Sequence, residues 1–206
     1  MAAENLKELF VEELKDIYDA EKQLIKALPK LAKAAESEDL RSAFDEHLEI
    51  TRMHVERCEE IFKVLDLPVR SKPCEGMKGL IEEGQEVVNE LEPGIVLDAA
   101  LIAAAQKVEH YEIASYGTLA TFAEVLDLSD AKDLLGQTLE EEKEADEKLT
   151  QIAGQINPQA EMGQSAEGEE EDKDEMATVS APRSSNRGRA GSSSRGANGK
   201  SRSKRR

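Results

Sequence analysis

Glu21, Glu112 and Glu142 stand where long stretches rich in Leu, Ile, Val and Ala should each place an apolar residue. A fourth stretch is interrupted in the same way by His47 and Thr51. A carboxylate turned into a core is costly unless it is protonated or paired, and several at one depth repel one another. No Lys or Arg occupies these inward positions. One or two hard or borderline cations would resolve the conflict, and carboxylates combined with imidazole suit iron or manganese. Flanking residues widen the ligand set: Glu109 lies three before Glu112 and Asp146 four after Glu142. The candidate ligands are therefore Glu21, His47, Glu109, Glu112, Glu142 and Asp146. Tyr18, three before Glu21, is placed to donate a hydrogen bond to the cluster. His54, three after Thr51, competes with Val55 for the inward place and is read as a surface or supporting residue. The competing explanation is plain: exposed acids on seams misplaced by one residue, with a core histidine bonded to one of them.

Four helices must position these groups. The first runs from about Leu6 to Ala35 along Phe10, Leu14, Ile17, Glu21, Leu24, Leu28, Leu31 and Ala35, with a kink expected at Pro29. The second, about Asp39 to Leu65, follows Leu40, Phe44, His47, Thr51, Val55, Cys58, Phe62 and Leu65. The third, about Pro93 to Leu126, follows Leu101, Ala105, Val108, Glu112, Ser115, Leu119, Phe122 and Leu126. The fourth begins at Ser129 or Asp130 and reaches about Gln155 along Ala131, Leu135, Thr138, Glu142, Ala145, Leu149, Ile152 and Ile156.

Short first and last connections make two antiparallel hairpins. The long middle connection, Asp66 to Glu92, carries its own amphipathic piece from Met77 to Leu91. That pattern fits an all-α, ferritin-like antiparallel four-helix bundle with a crossover holding a short extra helix. Each polar interruption lies near the middle of its helix, and in an antiparallel bundle equal heights meet. At 1.5 Å per residue the groups converge within about one turn.

The 206 residues hold 44 acidic and 27 basic side chains, for a formal charge of −17. Residues 1–156 carry 36 acidic and 17 basic side chains, while 157–206 hold almost no large apolar ones. That second segment begins at Asn157-Pro158 and bears eight carboxylates between Glu161 and Glu175. From Arg183 it carries nine basic residues and no acidic ones. It reads as a disordered tail, unable to bury enough apolar area to offset its backbone entropy. The basic stretch 183–206 is a candidate for salt-sensitive, non-specific nucleic-acid contact, or for folding back onto acidic segments. It has no aromatic platform for stacking bases. No apolar run is long enough to span a membrane and no secretory signal is apparent, so a cytoplasmic protein is expected. Cys58 and Cys74 form neither a disulfide framework nor a zinc-ribbon spacing, and read as a core thiol and a loop thiol.

The segments Leu9–Leu24, His47-Leu-Glu-Ile-Thr51, Val108–Gly117 and Thr138–Asp146 resemble the YciE/YciF-like stress-protein family of ferritin-like domains. Most specific are Tyr18-Asp-Ala-Glu-Lys-Gln-Leu24 and Glu109-His-Tyr-Glu-Ile-Ala114. The resemblance covers nearly all of residues 6–156 and none of the tail. It implies a ferritin-like bundle, a homodimer and a link to bacterial stress responses. Ferritin-like proteins commonly hold two metals with one Glu from each of two helices and Glu-x-x-His from the other two. Glu21 and Glu112 match the single-Glu positions. The remaining helices instead offer Thr51-x-x-His54 and Glu142-x-x-Ala145, so one Glu and one His of the pattern are missing. Either Glu109, Asp146 and His47 substitute, or the site holds metal weakly or singly.

Two functions follow from different classes. The first is a di-iron (or manganese) protein of the stress response that oxidises Fe(II) or handles peroxide, with two ions per chain. The second is a non-catalytic stress or interaction protein that retains a degenerate site. No nucleophilic triad is readable, and whether the protein is an enzyme turns on its metal content.

Overall fold

The computed structural model describes residues 3–175, with side chains to Met162. The basic stretch 183–206 lies outside the described residues. The chain divides into a unit of residues 1–167 and a second from 168 onward, and the site belongs wholly to the first. All regular structure among the described residues is helical: α1 (Leu6–Ala34), α2 (Glu38–Val64), α3 (Glu75–Glu90), α4 (Ile95–Val125) and α5 (Ser129–Glu175). No helix there is long and apolar enough to cross a membrane.

Local chemistry sets the boundaries. Asn5 and Ser37 accept backbone N–H groups at the starts of α1 and α2, and Cys74 Sγ does so at α3. Gly94, at φ +150, opens α4 with a backbone that a side-chain-bearing residue rarely adopts. The ends of α2 and α4 repeat one device. Val64-Leu-Asp-Leu67 and Val125-Leu-Asp-Leu128 each put an aspartate at φ 55, Asp66 and Asp127. Leu67 N–H then bonds Phe62 C=O at 2.9 Å, and Leu128 N–H bonds Ala123 C=O at 2.9 Å, closing the last turn of each helix.

Pro29 lies inside α1 and Pro158 inside α5. The sequence places the end of the last helix at Gln155, before Asn157-Pro158, yet α5 continues to Glu175. Residues following a proline are free to stay helical, and the Gln, Ala, Glu and Met of this stretch favour doing so.

Partner pairs give the helix directions. Tyr18 hydrogen-bonds Glu59 while the Ala35–Ser37 turn joins the far ends, so α1 and α2 are antiparallel. Arg57 with Thr138 and Glu46 with Lys148 set α2 against α5 in the same sense. Lys132 with Glu124 and Gln106 with Thr150 do so for α4 and α5. Tyr111 with Asp16 fixes one end of the α1–α4 pair. Asp98, buried in the first turn of α4, fixes the other by accepting the N–H groups of Glu36 and Ser37 at 2.9 and 2.8 Å. The α3 helix packs on α1 and α4. Gly76 sits so close to the Tyr111 ring that a Cβ there would meet it at 2.8 Å. The result is a helical bundle cored by Phe10, Leu14, Leu24, Leu40, Phe62, Leu101, Leu119 and Leu135.

Candidate metal centre

Four helices send polar groups into the middle of this core. Glu21 comes from α1, His47, Thr51 and His54 from α2, Glu109 and Glu112 from α4, and Glu142 from α5. Glu21, Thr51, His54, Glu112 and Glu142 are fully buried, Glu109 is 3 % exposed and His47 8 %. Apolar residues one turn above and below each group hold the helices together at this height.

Two overlapping clusters result. His47, Glu109, Glu112 and Glu142 bring one ligand atom each within 4.8 Å of one another, and Glu21, His54 and Glu142 do likewise. Glu142 belongs to both, so the two constellations share one carboxylate. His47 Nε2 lies 3.4 Å from Glu109 Oε1 and 3.8 Å from Glu142 Oε2. His54 Nδ1 lies 2.9 Å from Glu142 Oε1 and 3.5 Å from Glu21 Oε1.

Many of these atoms make no hydrogen bond: Glu21 Oε2, Glu109 Oε2, both oxygens of Glu112, both of Glu142, and Nδ1 of His47 and His54, with His54 Nδ1 and Glu142 Oε1 meeting as an ion pair only. Buried polar atoms are ordinarily satisfied, so such a concentration of orphans, mostly acceptors, calls for cations. Four carboxylates against two divalent ions also balance in charge. The donor set of oxygens with imidazole nitrogens fits iron or manganese.

Electrostatics show how burial and close packing set these groups against one another. Burial, and then neighbouring carboxylates, push Glu109 and Glu112 well above the ordinary carboxylate range. Burial raises Glu21 too, against the lowering pull of His54. Burial with the nearby His54 charge pushes His47 down to about 4. Burial also disfavours charge on His54, but the facing carboxylates of Glu142 and Glu21 prevail and lift it to about 10.

A second layer fixes the orientation of the first. His54 Nε2 meets Glu141 Oε2 at 2.9 Å, and Arg57 clamps both oxygens of Glu141 while its Nη1 donates to Thr138 Oγ1 at 3.1 Å. Tyr116 OH donates to Glu21 Oε1 and lies 3.7 Å from Cys58 Sγ. Thr51, where the ferritin-like pattern would have Glu, returns its hydroxyl to His47 C=O at 2.9 Å.

Five of the six candidate ligands thus meet, and Asp146 does not join them. It is half-buried, receives Gln106 Nε2 at 3.1 Å and faces His110 Nε2 at 3.4 Å. Four residues past Glu142 is about 40° beyond a full turn, which swings it toward α4. Tyr18 OH likewise donates to Glu59, away from the centre. His54, read from the sequence as peripheral, is instead at the heart of the cluster, while Val55 is only partly buried. The signal was available: positions 47 and 54 are two helical turns apart and share a face. The third seam, which runs through Ser115, also misses Tyr116. Cys74, read as a loop thiol, is buried at the start of α3 with Tyr111 OH 2.9 Å from its sulfur.

The family model described as "Domain of unknown function (DUF892)" matches residues 5–161 of this chain. The chain belongs to the DUF892 family. Protein YciF of Escherichia coli K12 is 50% identical over 163 residues, covering 78% of this chain and 98% of YciF. The crystal structure of the E. coli stress protein YciF superposes with a TM-score of 0.71 at 51% identity, over 73% of this chain and 96% of that one. YcfI from Rhodopseudomonas palustris gives 0.70 at 43% identity, over 71% and 94%. A Xanthomonas campestris protein at 20% identity and a TM-score of 0.64 shares the fold, over 78% of this chain and 99% of that one.

Proposed function

We propose that this protein is a ferritin-like four-helix bundle whose centre holds two metal ions, iron in the first place, and that it serves a stress response. One observation carries the reading: the fully or nearly buried, mutually close and unpartnered ligand atoms of Glu21, His47, His54, Glu109, Glu112 and Glu142. The antiparallel pairing of α1 with α2 and of α4 with α5, joined by a link containing α3, supports the ferritin-like arrangement. The description of E. coli YciF as a stress protein supports the setting.

Glu21, His54 and Glu142 would hold one ion, and His47, Glu109, Glu112 and Glu142 the other. Compared with the ferritin-like pattern, His54 keeps its place, while His47 and Glu109 supply what Thr51 and Ala145 do not. Two Fe(II) ions held there would together supply the two electrons that reduction of oxygen to peroxide, or of peroxide to water, consumes. The chain's own part is to orient and to keep water out. Arg57 and Glu141 hold His54, Tyr116 holds Glu21, and Leu24, Val108 and Ala105 help wall the core. A homodimer is proposed on the same resemblance.

The test is metal content after anaerobic Fe(II) loading and desalting of the full chain, beside a Glu21→Ala/Glu112→Ala variant. About two irons per chain, as dinuclear bundle sites hold, lost in the variant, is the expected result. No retained iron in either protein sinks the reading and leaves a degenerate bundle.

A further inference from the structure

The cluster is so deeply buried that an ion needs a way in. A cavity of about 180 Å³ lies between α2 and α5 and ends on His47 and Glu109. Both end residues are more than nine-tenths buried, and each keeps an unpartnered atom, His47 Nδ1 and Glu109 Oε2. The volume is ample for several water molecules, and so for an ion that has not yet shed its hydration shell. Ala145 helps make this room, at the position where the ferritin-like pattern would put a histidine three residues after Glu142.

The outer lining is charged. Glu46 and Glu144 are exposed, Glu141 is partly so, and the exposed Lys148 pairs with Glu46 across the opening from α5 to α2. Glu141 is already committed to Arg57 and His54. Glu144 is exposed beside the opening and joins no ion pair among the described residues. Acidic groups around a low-dielectric cleft concentrate cations at its mouth.

We propose that this α2–α5 cleft is the route by which a divalent cation reaches the buried cluster, with Glu144 attracting it and the Glu46–Lys148 pair restricting it. The proposal rests on the metal-binding reading above. It predicts that exposed charges at the mouth change how fast metal arrives without changing how much is held. It is distinct from the ligand set because Glu144 and Lys148 are not ligands.

The experiment follows Co(II) uptake by the metal-free full chain in stopped flow, through the visible absorption of bound Co(II), at low and high ionic strength. Wild type is compared with Glu144→Lys, Lys148→Glu and Ala145→Leu. At low salt, Glu144→Lys is expected to load about three- to tenfold more slowly and Lys148→Glu correspondingly faster. At about 0.5 M salt those differences shrink, because the charges are screened. Ala145→Leu, which narrows the cleft, loads more slowly at both salt concentrations. All variants reach the wild-type stoichiometry. Equal uptake rates in wild type and the two charge variants, at full stoichiometry, would overturn the route while leaving the metal site standing. A lowered final stoichiometry in the charge variants would overturn it as well, by making those residues part of the site. No Co(II) uptake by wild type would overturn both the route and the metal-binding reading.

Discussion

His54 Nδ1 lies 2.9 Å from Glu142 Oε1, and the opposite nitrogen of the same ring lies 2.9 Å from Glu141 Oε2. Two consecutive residues of α5 therefore grip one imidazole of α2 from both edges. They divide the work, because neighbours in a helix point about 100° apart. Glu142 faces the core, whereas Glu141 sits at the boundary, where Arg57 compensates its charge. With Nε2 engaged by Glu141, Nδ1 is the nitrogen left to bind an ion.

Glu141→Gln should therefore weaken metal binding although it removes no ligand. Loss of such a supporting carboxylate typically costs ten- to a hundredfold in metal affinity. Competition against a chelator, with Co(II) as the reporter, measures this. Unchanged affinity would show that His54 does not depend on Glu141 for its orientation.

The metal-free protein should become less stable as pH rises from about 6.5 toward 10. His54 is raised in the fold from 6.5 to about 10, so its charged form stabilises the native state fully below 6.5 and that contribution is lost on the way up. Glu21, Glu109 and Glu112 are raised as well and act in the same direction. His47, lowered to about 4, opposes them only below 6.5, where it must be kept neutral. A bound cation replaces the protons and should flatten the dependence. Thermal melts of chelator-treated and metal-loaded protein across this range test it, and a metal-free melting temperature that climbs with pH would contradict the assignment.

Glu112→Leu should stabilise the metal-free protein and abolish binding of the second ion. Both oxygens of Glu112 are buried and unpartnered, and burial with the neighbouring carboxylates disfavours its charged form. Replacing a poorly satisfied buried ionisable group by an apolar one of similar size is often worth about 1–4 kcal/mol. That corresponds to a rise of roughly 3–15 °C in melting temperature for a domain of this size. A fall would mean that Glu112 has a structural role which its geometry does not reveal.

Periodicity alone placed Glu21, Glu112 and Glu142 at one depth, because a residue interrupting an apolar seam is marked by its neighbours. It placed Glu109 by the same logic, three residues from Glu112. It failed wherever two adjacent residues compete for one direction. Val55 takes precedence over His54 and Ser115 over Tyr116, since at 3.6 residues per turn both members of each pair lie near the seam; hydropathy favours Val55 over His54, and the three-residue step from Glu112 favours Ser115 over Tyr116. In each case the true inward residue carries a polar atom that another helix satisfies: Glu141 for His54 and Glu21 for Tyr116. Such partners are set by tertiary packing, which a single seam does not contain. The continuation of α5 past Pro158 was hidden for a different reason, because Asn-Pro is a frequent but not obligatory helix stop.

Tyr116 carries the last prediction. It is buried at 1 % exposure, and its hydroxyl is the donor aimed at Glu21 Oε1. Tyr116→Phe keeps the ring and removes that donor, leaving a buried carboxylate oxygen without its hydrogen bond. A stability loss of about 1–3 kcal/mol in the metal-free protein follows. Packing could produce a loss of the same size, so the discriminating measurement is a double-mutant cycle. In a Glu21→Leu background the partner is gone, and Tyr116→Phe should then cost little, giving a coupling energy of about 1 kcal/mol or more. Equal costs in both backgrounds would show that the hydroxyl contributes nothing through Glu21, and that Tyr116 serves the core by its ring alone.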